Sequence, residues 1–186
     1  MNRRELRADA VANRDRVLAA AAIAVRREGE AVPMATIAAE AGVGIATLYR
    51  SYPSREALLG ALTEQSFGLV LESAQRAERT GSTAIESLEL FLHQTIDHGP
   101  KLVLPLHGGP VRLDPQSKAL QRDVHAVLTR ILKRGQQEGT VSPDVAALDI
   151  VIFGALLARP VPHVRDWQHA ARRLVQTFLA GLTASD

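Results

Sequence analysis

The sequence predicts an all-α protein, with a three-helix head built around a helix-turn-helix and a larger helical domain behind it. Three observations carry that prediction. Apolar residues recur at three- and four-residue spacing in one segment after another. Ala38, Gly42 and Leu48 have the spacing of two short helices joined by a tight turn. The last two helical stretches carry more apolar surface than a chain of 186 residues can cover by itself.

Composition sets the outer bounds. A hydrophobic share of 46% and a charged share of 23% are ordinary for a soluble globular protein of one or two small domains. Cysteine is absent, which excludes disulfides and thiolate metal sites. No apolar run approaches the roughly 20 residues of a membrane span. The opening MNRRELRADA is too charged for a signal peptide, so a cytoplasmic protein is expected. The net charge of +2 says little about partners, but its distribution says more. Residues 1–27 hold seven arginines against three acidic residues, a balance that suits phosphate attraction.

Residues 1–12 are expected to begin as an arm, with Asp9 or Asn13 capping the first helix. Val17, Leu18, Ala21, Ala24 and Val25 then share one face, and Gly29 should stop the helix. Pro33 sits at the start of the second helix, where no donated N–H is needed. Gly42 supplies the positive φ of the turn, and Leu48 with Ile37, Ala41 and Val43 should hold the third helix on the second. The recognition helix should run from Ile45 to Tyr49 or Arg50. Gly44, Ile45 and Ala46 are small or apolar, which lets the backbone approach base edges and puts Ile45 and Ala46 in reach of thymine methyls. Thr36, Thr47 and Tyr49 carry hydroxyls suited to phosphates. Arg50 suits either a bidentate guanine contact or a phosphate. Tyr52 is expected under the head with its hydroxyl outward, and Arg55 at the start of the fourth helix beside a phosphate. Arg3, Arg4 and Arg7 are further phosphate or minor-groove candidates on the arm.

Residues 36–59, TIAAEAGVGIATLYRSYPSREALL, resemble the DNA-binding module of TetR-family transcriptional regulators. The likeness lies in the I-A-x-x-A-G-V turn, then T-L-Y, an aromatic, and S-R-E-x-L opening a long helix. Gly44 stands where the family usually has Ser, and Ser51 where an aromatic or basic residue is frequent. The motif-bearing match covers roughly residues 10–60, and the remainder resembles the family in length and helical layout. The resemblance implies that Thr47 and Tyr49 are contact positions. It also implies a regulator, most often a repressor, that dimerises through its last two helices.

The fourth helix should run from Ser54 to about Glu78 and serve both domains, divided as 1–56 for DNA binding and 57–186 for ligand binding and dimerisation. Residues 83–98 form a helix apolar on most sides, so it is expected at the centre of the second domain. Its polar His93 and Gln94 are candidates to face a ligand, with Phe67, Phe91, Leu104 and Phe153 lining the same cavity or simply filling core. The broken stretch 99–116, with KLVLPL and HGGP, is where a pocket mouth or lid is expected. A helix that opens at Ser117 and ends at Gly135 to Gly139 follows, then one from Pro143 to about Arg159, and a last from about His163 to Leu182. Leu148, Ile152, Leu156, Trp167, Leu174 and Phe178 are the expected dimer contacts of a four-helix bundle, with purely intramolecular packing as the alternative.

No catalytic constellation is present: there is no Gly-x-Ser-x-Gly, Walker loop or GxGxxG. His93 and Asp97 are four apart on one helix, a weak metal pair, and no metal or cofactor is expected. The leading reading is a one-component regulator that binds a pseudo-palindromic operator as a dimer and is released by a small-molecule effector. Two alternatives remain open. One is a small helical enzyme or metal-binding protein with the head as an interaction module; the other is a constitutive DNA-binding protein without a ligand.

Overall fold

A computed structural model gives the fold, describing residues 3–105, 109–110 and 112–182 and, within these, side chains from residue 12 onward. All its regular structure is helical: α1 Arg3–Glu28, α2 Met34–Glu40, α3 Ile45–Ser51, α4 Arg55–Thr80, α5 Ala84–His98, a 3₁₀ turn Gly99–Lys101, α6 Pro115–Gln137, α7 Ala147–Leu157 and α8 Trp167–Ala180. Helix α1 is helical from Arg3, not from a cap at Asp9 or Asn13 after an arm. Arg, Glu, Leu and Ala dominate its first turns, and these are strong helix formers.

The chain divides into two compact units. The first comprises residues 1–66 with 101–114, the second 67–100 with 115–186. The core of the first unit joins Val17, Ala21, Ala24 and Val25 of α1 to Ile37 and Ala38 of α2. Leu48 of α3, Tyr52, and Leu58 and Leu62 of α4 complete it. Within the broken stretch 99–116, the apolar 102–103 dipeptide belongs to this unit. Leu102 and Val103 are fully buried, and Val103 lies in the head core. The Val103 N–H donates to Ser66 Oγ at 2.9 Å, while the Ser66 hydroxyl donates to the Leu62 carbonyl at 2.8 Å. A buried extended segment thus has its backbone donor satisfied by a helix side chain.

In the second unit α5 is central, as its all-round apolar pattern implies, and packs against α6, α7 and α8. Leu88, Phe91, Leu92 and Ile96 are buried on it. Thr83 caps α5, its Oγ1 accepting from the Glu86 N–H at 3.1 Å, and the Glu86 carboxylate accepts in return from the Ser82 N–H at 2.7 Å. At the other end, a Cβ added to Gly99 would stand 2.2 Å from the Ala158 carbonyl oxygen, so that approach of α5 to the end of α7 requires glycine.

Two helices start later than expected. Helix α7 begins at Ala147, where the Asp149 carboxylate accepts from the Ala146 N–H at 2.8 Å, and Pro143-Asp144 lie in the preceding turn. Helix α8 begins at Trp167 behind Asp166, whose side chain accepts from the His169 N–H at 3.3 Å. Non-glycine positive φ at His163 and Asp166 breaks the helical path before that point. No helix among the described residues is long and apolar enough to cross a membrane.

Candidate nucleic-acid interface

Helices α2 and α3 meet through a turn that every local residue supports. Gly42 has φ +64°, and the Val43 N–H returns to the Ala38 carbonyl at 3.0 Å. Ile37, Ala38, Ala41 and Leu48 are all buried, and Leu48 fully so, which fixes which side of α3 faces inward. The opposite side is open to solvent. Ile45 is 43% and Tyr49 47% exposed, and Gly44, Ala46 and Arg50 are exposed beside them. Large apolar and aromatic groups left in water on a short, well-anchored helix form a surface shaped for contact. Thr47 is half-buried, and its hydroxyl accepts from Arg50 Nη2 at 2.8 Å, which steadies the guanidinium along the helix. Thr36 is half-buried in the first turn of α2.

Two predicted contact residues have other work. Tyr52 is 2% exposed and caps α3, with its N–H donating to the Leu48 carbonyl at 2.8 Å. Its hydroxyl points inward, not outward, and has no hydrogen-bond partner among the described residues. Arg55 is half-buried; Nη1 donates to the Glu30 carbonyl at 3.0 Å and to the Val32 carbonyl. The guanidinium therefore ties the α1–α2 loop to the start of α4 and does not reach out for a phosphate. The predicted contacts of Arg3, Arg4 and Arg7 lie outside the described side chains.

The six residues expected to face a ligand fall in different surroundings. Phe67 and Phe91 are buried, and Gln94 is half-buried. Phe153 stacks on Phe178, with ring centroids 3.8 Å apart and planes at 12°, so one pair joins a predicted ligand residue to a predicted dimer residue. His93 Nε2 is buried without a hydrogen-bond partner among the described residues, and Nδ1 stands 4.0 Å from Glu89 Oε1. Asp97 accepts from Arg172 Nη2 at 2.6 Å, which engages the carboxylate of the weak metal pair. Leu104 belongs to the first unit. A cavity of about 750 Å³ does occur in that unit, between the α1–α2 loop, the first turns of α4 and residues 110–114. None of the six lines it.

Comparison with known proteins decides the family. The model described as "Bacterial regulatory proteins, tetR family" matches residues 17–62, and that described as "Transcriptional regulator SbtR-like, C-terminal domain" matches 85–184, more than half the chain. The chain belongs to the TetR family. This TetR-family regulator is 26% identical over 169 residues to the HTH-type transcriptional repressor LfrR of Mycolicibacterium smegmatis, spanning 91% of this chain and 88% of the relative. It superimposes on a TetR transcription regulatory protein from Mycobacterium vanbaalenii with TM-score 0.64 and 29% identity, covering 96% and 99% of the two chains. The same fold is seen in AibR in complex with isovaleryl coenzyme A and operator DNA, with TM-score 0.75 and 17% identity, covering 91% and 97%.

The regulator also uses residues that the sequence did not single out. Arg27 of α1 pairs with Glu28 and with Glu40 at the end of α2, clamping the two helices. The guanidinium of Arg14 lies over the Tyr52 ring, 5.4 Å from its centroid. Arg27–Glu40 and Arg14–Tyr52 have no local signal, because each joins residues far apart in the chain.

Proposed function

We propose that this TetR-family regulator is a cytoplasmic, dimeric repressor that reads its operator through α3 and is released by a small-molecule effector. The observation that carries the reading is the exposed Ile45–Ala46–Tyr49–Arg50 side of α3, opposite a fully buried Leu48. Ile45 and Ala46 meet base edges, Thr36, Thr47 and Tyr49 meet phosphates, and Arg50 meets a guanine or a phosphate. The functional division proposed is 1–56 for DNA and 57–186 for ligand and dimer.

Dimerisation is supported by Leu148, Ile152 and Leu156, exposed at four-residue spacing on α7, and by exposed Leu174 on α8. Trp167 and Phe178 are half-buried; they support the bundle from within, through the Trp167 indole donating to the Leu157 carbonyl at 2.8 Å and through the Phe153 stack. LfrR is named a repressor, and AibR was seen with an acyl-coenzyme A and operator DNA, which makes repression and an organic effector the favoured reading here. The family and the named repressor among its relatives favour this reading over the enzyme and metal alternatives.

Substitution at α3 tests the assignment. Tyr49→Phe should weaken binding to DNA flanking the protein's own gene without changing helix content or dimerisation; unchanged affinity removes Tyr49 from the contacts. Arg50→Ala should relax preference at one base pair if it reads guanine, worth about 1–3 kcal/mol of discrimination. Equal weakening on every sequence makes it a phosphate contact.

A further inference from the structure

We propose that Arg14 is a DNA phosphate contact, held ready by the Tyr52 ring, so that the DNA-facing edge of the head extends from α3 onto α1. The proposal rests on the reading of the head as a DNA binder. Arg14 is exposed, and its guanidinium covers the face of the residue that caps the recognition helix. A distance of 5.4 Å to the ring centroid is within cation–π range. Stacked in this way, a planar guanidinium keeps its N–H edge free for an anion and gives up less side-chain freedom when one arrives. Arg27, Arg130 and Arg172 are each ion-paired to a carboxylate, whereas Arg14 has no carboxylate at ion-pair distance among the described residues. A ring underneath and no ion-paired carboxylate leave a positive charge beside the residue that ends α3. Along the sequence, residues 1–27 carry seven arginines against three acidic residues, a balance that suits a phosphate chain.

The test is a salt titration of the full chain on DNA flanking its own gene and on scrambled DNA, for wild type, Arg14→Gln, Arg14→Lys and Tyr52→Leu, each with a melting curve. Arg14→Gln should lower the magnitude of the slope of log affinity against log salt by about one, on both DNAs and by the same factor of affinity. Arg14→Lys should keep the slope and lose part of the affinity, because an ammonium does not stack as a guanidinium does. Tyr52→Leu should behave like Arg14→Lys. A wild-type slope and affinity for Arg14→Gln would overturn the proposal and leave Arg14 as a brace on Tyr52. A fall in melting temperature for Arg14→Gln does not blur this, since a brace releases no counter-ions and its loss leaves the slope unchanged. Wild type that prefers neither DNA would refute sequence reading, while the slope on scrambled DNA still decides on Arg14.

Discussion

Tyr52 and Arg55 show how a contact motif and a packed core share the same few residues. The Tyr52 hydroxyl is buried without a protein partner among the described residues, an arrangement that costs about 1–3 kcal/mol of desolvation. Tyr52→Phe keeps the ring under Arg14 and removes that cost. It should raise the melting temperature and leave DNA affinity unchanged; weakened DNA binding would instead give the hydroxyl a phosphate partner. Arg55→Ala removes the donor to the Glu30 and Val32 carbonyls. A loss of about 1.5–3 kcal/mol in urea unfolding is expected, typical of hydrogen bonds to a charged group. Gly42 and Leu48 were legible from spacing, because a positive φ and a buried leucine are demands of the turn itself. The fates of Tyr52 and Arg55 were not. Arg55 answers to carbonyls 25 and 23 residues away, and no local pattern reports that.

At the scale of elements, helical periodicity located α2 and α3 closely, since each has one clear inward side, and α5 through its nearly all-round apolar run. It failed at the start of α1, where charge and alanine replace an apolar stripe, and at residues 102–103, too short to show any period. Their burial is decided by tertiary packing against α4. Helices α4 and α6 are joined by Arg130, whose Nε and Nη2 bind the two Glu78 oxygens at 2.7 and 2.9 Å. The guanidinium hydrogen bonds hold the Glu78 carboxyl below its ordinary pKa. A depressed carboxylate pKa contributes stability above the unfolded glutamate value of about 4.3, and that contribution is lost as pH falls through the lower folded value. The pair is partly exposed, so its worth is under about 1 kcal/mol. Glu78→Gln should therefore flatten the acid limb of stability below pH ~4.5 and leave its shape at pH 7 unchanged, as read by urea unfolding across pH. On α7, Ile152→Glu with Leu156→Glu places charge in the exposed apolar stripe. A shift to monomer in sedimentation, with helix content kept, is the expected outcome; an unchanged mass would move the dimer contact elsewhere.

For the whole molecule, α4 is one 26-residue helix whose residues fall in both units. Two heads in a dimer must match major grooves roughly 34 Å apart or a multiple of that. An effector that binds the mismatched arrangement a hundredfold more tightly supplies about 2.7 kcal/mol of coupling against operator binding. The ligand site itself left no readable trace in the sequence, because apolar side chains that line a pocket have the same spacing as those that fill a core. The central claim is sequence-specific operator reading by α3, and its most direct test is a titration against DNA flanking the protein's own gene, at two salt concentrations, beside scrambled DNA. Tight binding with dimer stoichiometry to one palindromic site, well above the scrambled control at both salts, is the predicted result. Equal and steeply salt-dependent binding to both DNAs would contradict it, since that is phosphate attraction alone.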